Sequence, residues 1–542
     1  MKRNKITLAG VGLLSASAMV LVGCAGNNDT GNGEGDTEGD ASAIISVNGS
    51  EPQNPLIPTN TNEVGGGKIL DAMFAGLIGY AADGSVFNDV AVDITVEDPQ
   101  NLTVTIREGL KFTDGEEVTA DNFIKAWNYG ALASNEQLSS YFFEDIEGFS
   151  YDEDSELTGL EQVDDYTFTI ALNKPASDFA QRLGYSAYYP LPDVAFEDIE
   201  AFGESPIGNG PYMLEGEGAW QHDVGINLVS NPDYDGPRTP VNGGLNIKFY
   251  ASQDSAYADL LAGELDVLDA IPDSAFESYE SDLGDRAVNQ PAAIFQSFTI
   301  PERLEHFGGD EGVLRRQALS MAINREEITD VIFQGTRTPA SDFTSPVIDG
   351  WSDSLEGAEV LAYDPEKAKE LWAEADAISP WSGEFQIGYN ADGGHQAWVD
   401  ATVNSIKNTL GIEASGAPYP TFQELRDLVT DRTIETAFRT GWQADYPGLY
   451  NFLGPLYATN AGSNDGDYSN PEFDDLLSQG ISETDPEAAN GLFQQAQEIL
   501  LQDLPATPLW YSNVVGGYGE TVDNVQFGWN SVPLYEQITK IG

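Results

Sequence analysis

The residues able to do chemistry are few and scattered. The chain has three histidines, His222, His306 and His395, at separations that suggest no shared metal site. It has no His-Glu-x-x-His string, no Gly-x-Ser-x-Gly elbow and no complete phosphate-binding loop. Gly65-Gly66-Gly67-Lys68 resembles the end of such a loop but lacks the glycine five residues before the last one, and reads as the approach to a helix. Asp152 with Asp154, and Asp465 with Asp467, offer paired carboxylates. Neither pair continues into the series of oxygen ligands that a calcium loop needs, and acidic pairs are common by chance in so acidic a chain. No cofactor is expected, and enzyme is the weaker class.

Cys24 is the only cysteine, which leaves no disulfide framework and no thiolate metal site. It follows Lys2, Arg3 and Lys5 and an uncharged, largely apolar run from Ile6 to Val22. That run fits a signal-peptide core better than a membrane span. Leu21-Val22-Gly23-Cys24 resembles the bacterial lipobox, so residues 1–24 read as a lipoprotein signal with Cys24 as the lipidated residue. The Gly, Asn and acidic residues of 25–40 cannot bury apolar surface and read as a flexible linker. The expected location is the outer face of a cell membrane, held by a lipid anchor.

About 500 residues remain, too many for one core. Aromatic content of 11% marks a folded chain. The net charge of −65, from 24 basic and 89 acidic residues, argues against nucleic acid or anionic lipid headgroups as partners. It could attract cationic ligands, but solubility in a salty or cell-wall environment is the favoured reading.

The elements that would position a site alternate between strand and helix patterns, which points to α/β construction. Leu102–Ile106 and Tyr166–Ile170 alternate with period two, as half-buried strands do. Thr113-Asp114-Gly115 reads as a turn, and Phe123, Ala126, Trp127, Gly130 and Ala131 form a helical stripe within 120–133. Residues 314–323 read as a helix. Asp364-Pro365 predicts an N-cap and first helical position, with the helix running to about Ala375. Pro505, Pro508 and Trp510-Tyr511 read as an irregular or edge-strand return.

Longer strings carry a family resemblance. The text from Leu102 through Arg107, Lys111, Asp114-Gly115 and Val118 to Phe123 resembles a signature of the family 5 extracellular solute-binding proteins, the peptide and nickel receptors of ABC importers. Asn209-Gly210-Pro211-Tyr212, Asp259 to Asp266, Arg315 to Glu326, Tyr363 to Ala368, Gly441 to Pro447 and Pro508 to Tyr511 resemble further family strings in the same order. The opening Val47 to Gln53 is similar to the oligopeptide-binding branch.

The resemblance implies a two-lobed periplasmic-binding-protein-like fold, class II type, cluster C, with an extra domain inserted in the first lobe. It places that lobe at 41–74, 201–296 and 516–542, the inserted domain at 75–200 and the second lobe at 297–515. It also implies a monomer that captures oligopeptides by hinge closure and delivers them to importer permease subunits.

The resemblance further implies site roles. Asp445 would hold the peptide's α-ammonium, with a helix or turn cap as the alternative, the backbone of Gly441 and Gln443 would pair with the peptide, and Trp442 would line the cleft. Val64 would pair from the other lobe. Arg439 and His395 would meet the peptide carboxylate, with a structural ion pair and a loop histidine as their respective alternatives. Tyr419 stands where the branch carries a tryptophan, with Pro418 and Pro420 leaving its register open. Other ligands of the same scaffold are an oligosaccharide, a nickel chelate or haem, the nickel chelate being disfavoured by the few histidines. A surface hydrolase or adhesin is the rival from another class.

Overall fold

A computed structural model describes residues 39–541, apart from 392–393, 421 and the side chain of 423. Cys24, the signal segment and all but the end of the 25–40 linker lie outside the described residues, as do Asp392 and Gly393 of the Tyr389–His395 string.

The first strand, β1 (Ile44–Gly49), alternates side chains and buries Ile45 and Val47. The first helix, α1 (Val64–Met73), contains the glycine run. Gly65, Gly66 and Gly67 are thus part of the helix, not its approach. Glu63 caps it, accepting from the Gly66 amide at 2.8 Å. Three glycines in a first turn oppose helix formation by about 1 kcal/mol each, so two of them answer a steric demand. A Cβ at Gly65 would lie 2.4 Å from Ser50 Oγ, and one at Gly66 2.5 Å from Glu63 Oε1.

Strands Ala91–Asp98, Asn101–Ile106, Thr167–Ala171 and Leu160–Asp164 form a separate antiparallel sheet in that spatial order. The helix Ala120–Ala131 carries the expected stripe, with Phe123, Ala126 and Trp127 fully buried.

The main sheet has twelve strands. Its spine is a 13-residue strand, β2 (Ala287–Thr299). The helix Gly309–Met321 begins five residues before the expected 314, and Asp364 caps Pro365–Ile378 through the Glu366 and Lys367 amides. Next come β3 (Glu384–Asn390), α2 (Gln396–Leu410), β4 (Glu413–Tyr419), β5 (Ala437–Gln443) and a second 13-residue strand, β6 (Ala506–Tyr518). From one edge the order runs β4, β3, β5, β2, β6, Val267–Leu268, β1, Gly244–Phe249, Gly225–Ser230 and Tyr212–Leu214. Arg337–Pro339 pairs with β6, and Trp220–Gln221 with Gly225–Ser230.

Trp510 and Tyr511 therefore sit in an interior strand, not the edge strand expected. Pro508 is tolerated there because it borders a register shift, where Gln296 pairs with Trp510 but Ser297 pairs with Pro508. A proline beside a bulge removes no ladder bond that the strand would otherwise make.

β2 and β6 run antiparallel through both halves of the sheet. Their ladder breaks once more, between Pro291↔Asn513 and Phe295↔Tyr511, so that 292–294 face the single residue Ser512. The two larger apolar cores divide at about this point. One core joins side chains from Ile45 to Val267 with Val514–Ile538. The other joins Ala293–Tyr511 with Trp529. Tyr80 packs against both. Among the described residues no helix is long and apolar enough to cross a membrane.

Candidate functional site

A cavity of about 330 Å³ opens where the two cores meet. One wall is a face of α1. Val64, Gly67, Lys68 and Asp71 line it, the i, i+3, i+4, i+7 spacing of a single helix face. A Cβ at Gly67 would meet nothing within 4 Å, so this glycine leaves space in the cavity. Lys68 is buried and paired with Asp269. Asp71 accepts from the Tyr189 hydroxyl at 2.8 Å. Arg238 spreads its guanidinium over Asp89 at 2.8 Å and the carbonyls of Asp71 and Phe74, each at 2.7 Å.

The opposite wall is the segment leaving β5: Gln443, Ala444 and Asp445. The break in the β2 ladder positions it. Ala293, released from pairing with β6, donates its amide to Trp529 O at 2.8 Å and accepts from the Ala444 amide at 2.9 Å. Both bonded partners line the cavity. Tyr80 meets Trp529 edge to face, ring centroids 5.5 Å apart, which joins the walls at their base.

Asp445 is held by one buried residue. Asn451 Oδ1 accepts from the Asp445 amide and Asn451 Nδ2 donates to Asp445 Oδ2, both at 3.0 Å. Asp445 Oδ1 has no hydrogen bond among the described residues. Burial pushes this carboxyl up to about 6, against the Asn451 amide and the charge of Arg182, which hold it down. The site offers a fixed, partly desolvated carboxylate with one free oxygen, suited to an ammonium group.

Beside it, β5 exposes backbone. One edge of β5 pairs with β2 from Phe438 to Gln443, whereas the other pairs with β3 only at Ala437 and Phe438. Residues 439–443 thus have an edge with no strand partner among the described residues. An extended chain can add to such an edge.

The sequence profile of the bacterial extracellular solute-binding proteins, family 5 Middle, matches residues 87–464. The chain belongs to that family. Oligopeptide-binding protein OppA of Bacillus subtilis (strain 168) is 25% identical to it over 528 residues, covering 92% of this chain and 93% of that one. Dipeptide-binding protein DppE of the same organism is 25% identical over 546 residues, covering 97% of each. The solved structure of Haemophilus influenzae OppA in complex with RPPGFSPFR matches with a TM-score of 0.72 at 22% identity, over 93% of this chain and 100% of that one. The fold is the two-lobed one of these solute-binding proteins.

In this family member the expected site residues do not all converge. Val64, Gln443 and Asp445 share the main cavity. Gly441 lines a separate space of about 30 Å³ with Ser297, Thr299 and Thr440. Trp442 is absent from the cavity lining and donates from Nε1 to Asn451 Oδ1 at 3.0 Å, bracing the residue that holds Asp445. Arg439 donates to Asn390 Oδ1 at 2.9 Å and stacks on Phe422, 4.9 Å from the ring centroid. His395 precedes α2 and accepts at Nδ1 from Trp398 Nε1 at 3.1 Å. Tyr419 ends β4, the sheet's edge strand, and packs on a small cluster around Leu425 and Phe438.

Sequence reasoning missed Asn451, Asp71, Arg238, Tyr535 and Glu536. Asp71 alone had a local signal, standing one helical turn beyond Gly67-Lys68. The others reach the cavity through contacts distant in sequence.

Proposed function

We propose that this solute-binding protein captures oligopeptides in the cavity between its lobes and delivers them to the permease of an ABC importer. The observation that carries the reading is the Asp445 carboxylate, buried at the end of a strand with an open backbone edge. A peptide with a free amino terminus satisfies both features together: its ammonium answers the carboxylate and its backbone extends the sheet. The ligands named for OppA, DppE and the Haemophilus influenzae complex support a peptide here.

In this reading Gly441 and Gln443 supply backbone groups, and Val64 contacts the peptide from the other wall. Trp442 acts through Asn451 as a positioning residue. Arg439 and His395 receive the carboxyl end, with Tyr419 beside them. Recognition by termini and backbone leaves side chains weakly specified, with water filling spare room. The protein does no chemistry itself, since closure is a population shift that ligand contacts favour. The lobes are 41–74 with 201–296 and 516–542, and 297–515, with 75–200 inserted.

Lipidation at Cys24 would hold the monomeric receptor at the outer membrane face, and the 25–40 linker would let it reach the permease. Mass spectrometry of ligand released from the purified protein tests the substrate class. Recovered peptides support the reading; a recovered oligosaccharide or metal chelate overturns it.

A further inference from the structure

The charges of the cavity do not balance. Four carboxylates line it, Glu63, Asp71, Asp445 and Glu536, against the two cations Lys68 and Arg238. Both cations are already engaged by acids outside the lining: Lys68 by Asp269, and Arg238 by Asp89 at 2.8 Å. One ammonium at Asp445 leaves the remaining excess unanswered. Neither Asp71 nor Glu536 forms an ion pair among the described residues.

A second observation lies beside Glu536. Tyr535 is only 5% exposed, lines the cavity, and its hydroxyl has no hydrogen-bond partner among the described residues. The side chain is buried but its hydroxyl oxygen stays accessible in the cavity, where a ligand or water can complete it. The acids also share one space. Burial raises the hydroxyls of Tyr80 and Tyr185, and the charges of Asp71 and Asp445 add to the rise in both. Arg238 bears on both Asp71 and Glu536, yet burial outweighs it and raises both carboxyls. The empty side of Gly67 keeps the route along α1 open.

We propose that the cavity selects a ligand with two positive charges: a peptide whose amino terminus meets Asp445 and whose first or second residue is lysine or arginine, its side-chain cation answered by Asp71 and Glu536 with the Tyr535 hydroxyl as a further acceptor. This rests on the peptide reading above and names the preference of the same site. The net charge of −65 acts in the same direction, steering cationic ligands toward the protein.

Titration calorimetry on the full chain, at neutral pH, tests it with Lys-Ala-Ala-Ala, Ala-Lys-Ala-Ala and their norleucine counterparts, which keep the carbon stem of lysine without its ammonium. At least one lysyl peptide should bind about tenfold or more tighter than its counterpart. Asp71→Asn with Glu536→Gln should remove that advantage, and Asp71→Glu should keep it. Asp71→Asn alone serves if thermal unfolding shows the double variant misfolded. Equal affinity for lysyl and norleucine peptides overturns this proposal while the peptide reading stands. An advantage that survives the variants overturns the assignment to Asp71 and Glu536. No binding of any peptide overturns both.

Discussion

Asn451 grips Asp445 from two sides, accepting from its amide and donating to its carboxylate, each at 3.0 Å. The same Oδ1 also takes the indole N–H of Trp442 at 3.0 Å. One buried amide thus fixes both the charge proposed to recognise the ligand and the strand that leads to it. Losing it would leave the Asp445 amide and the Trp442 indole without their acceptor. Asn451→Ala should lower stability by about 2–4 kcal/mol, read by denaturant unfolding, and weaken peptide binding in the variant that remains folded.

Asp445→Asn should separate stability from binding. The carboxyl is raised from 3.8 to about 6 by burial, against the Asn451 hydrogen bond and the charge of Arg182, and its own charge acts on the Tyr80, Tyr141 and Tyr185 hydroxyls. Between these values the folded state binds the proton more tightly than the unfolded chain does. The contribution of this group therefore favours folding at low pH and is lost as pH rises from about 4 through about 6. The ligand-free variant should be about 1–3 kcal/mol more stable at neutral pH, less any loss at Asn451, and should lose its affinity for free-amino peptides. Thermal unfolding with and without peptide checks both signs.

Gly67 is the helical glycine of α1 with space rather than an obstacle beside it. Gly67→Ala should raise the stability of the ligand-free protein by about 0.5–1 kcal/mol, because alanine is the better helix former. Gly67→Phe should fold and lose ligand binding, since its ring would enter the cavity. Thermal unfolding and calorimetry of the pair check this, and unimpaired binding by the phenylalanine variant would mean that the ligand lies elsewhere.

Tyr446 follows Asp445 and donates to Asp178 at 2.5 Å, with Arg182 stacked 5.6 Å from its ring centroid. Asp178 and Arg182 come from the part of the chain before 200, so this contact spans segments 268 residues apart. Tyr446→Phe removes a hydrogen bond to a charged group and keeps the ring. It should cost about 1.5–3 kcal/mol, measurable by denaturant unfolding.

Asp445 could be found in the sequence because its motif is continuous, Gly441 to Pro447. The N-cap at Asp364 was legible for the same reason: its partners are two and three residues away. The helical state of Gly65–Gly67 was not, because poor helix propensity is overridden there by the close approach of Ser50, 15 residues earlier, and by the Glu63 cap. Trp510 and Tyr511 were misread as an edge because prolines argue against an interior strand, and the bulge that accommodates Pro508 is a property of pairing with β2. Glu536 and Arg238 face the cavity of α1 only once the chain ends of the first core have come together. Their roles are written in tertiary contacts, which one sequence does not display.

The most direct measurement compares a free-amino peptide with its N-acetylated twin by calorimetry on the wild-type chain and on Asp445→Asn. An ammonium held by Asp445 predicts that the free peptide binds the wild type about tenfold or more tighter than the acetylated one, and that the gap closes in the variant. Equal binding of the two peptides to the wild type would contradict the role of Asp445 as the anchor of the ligand.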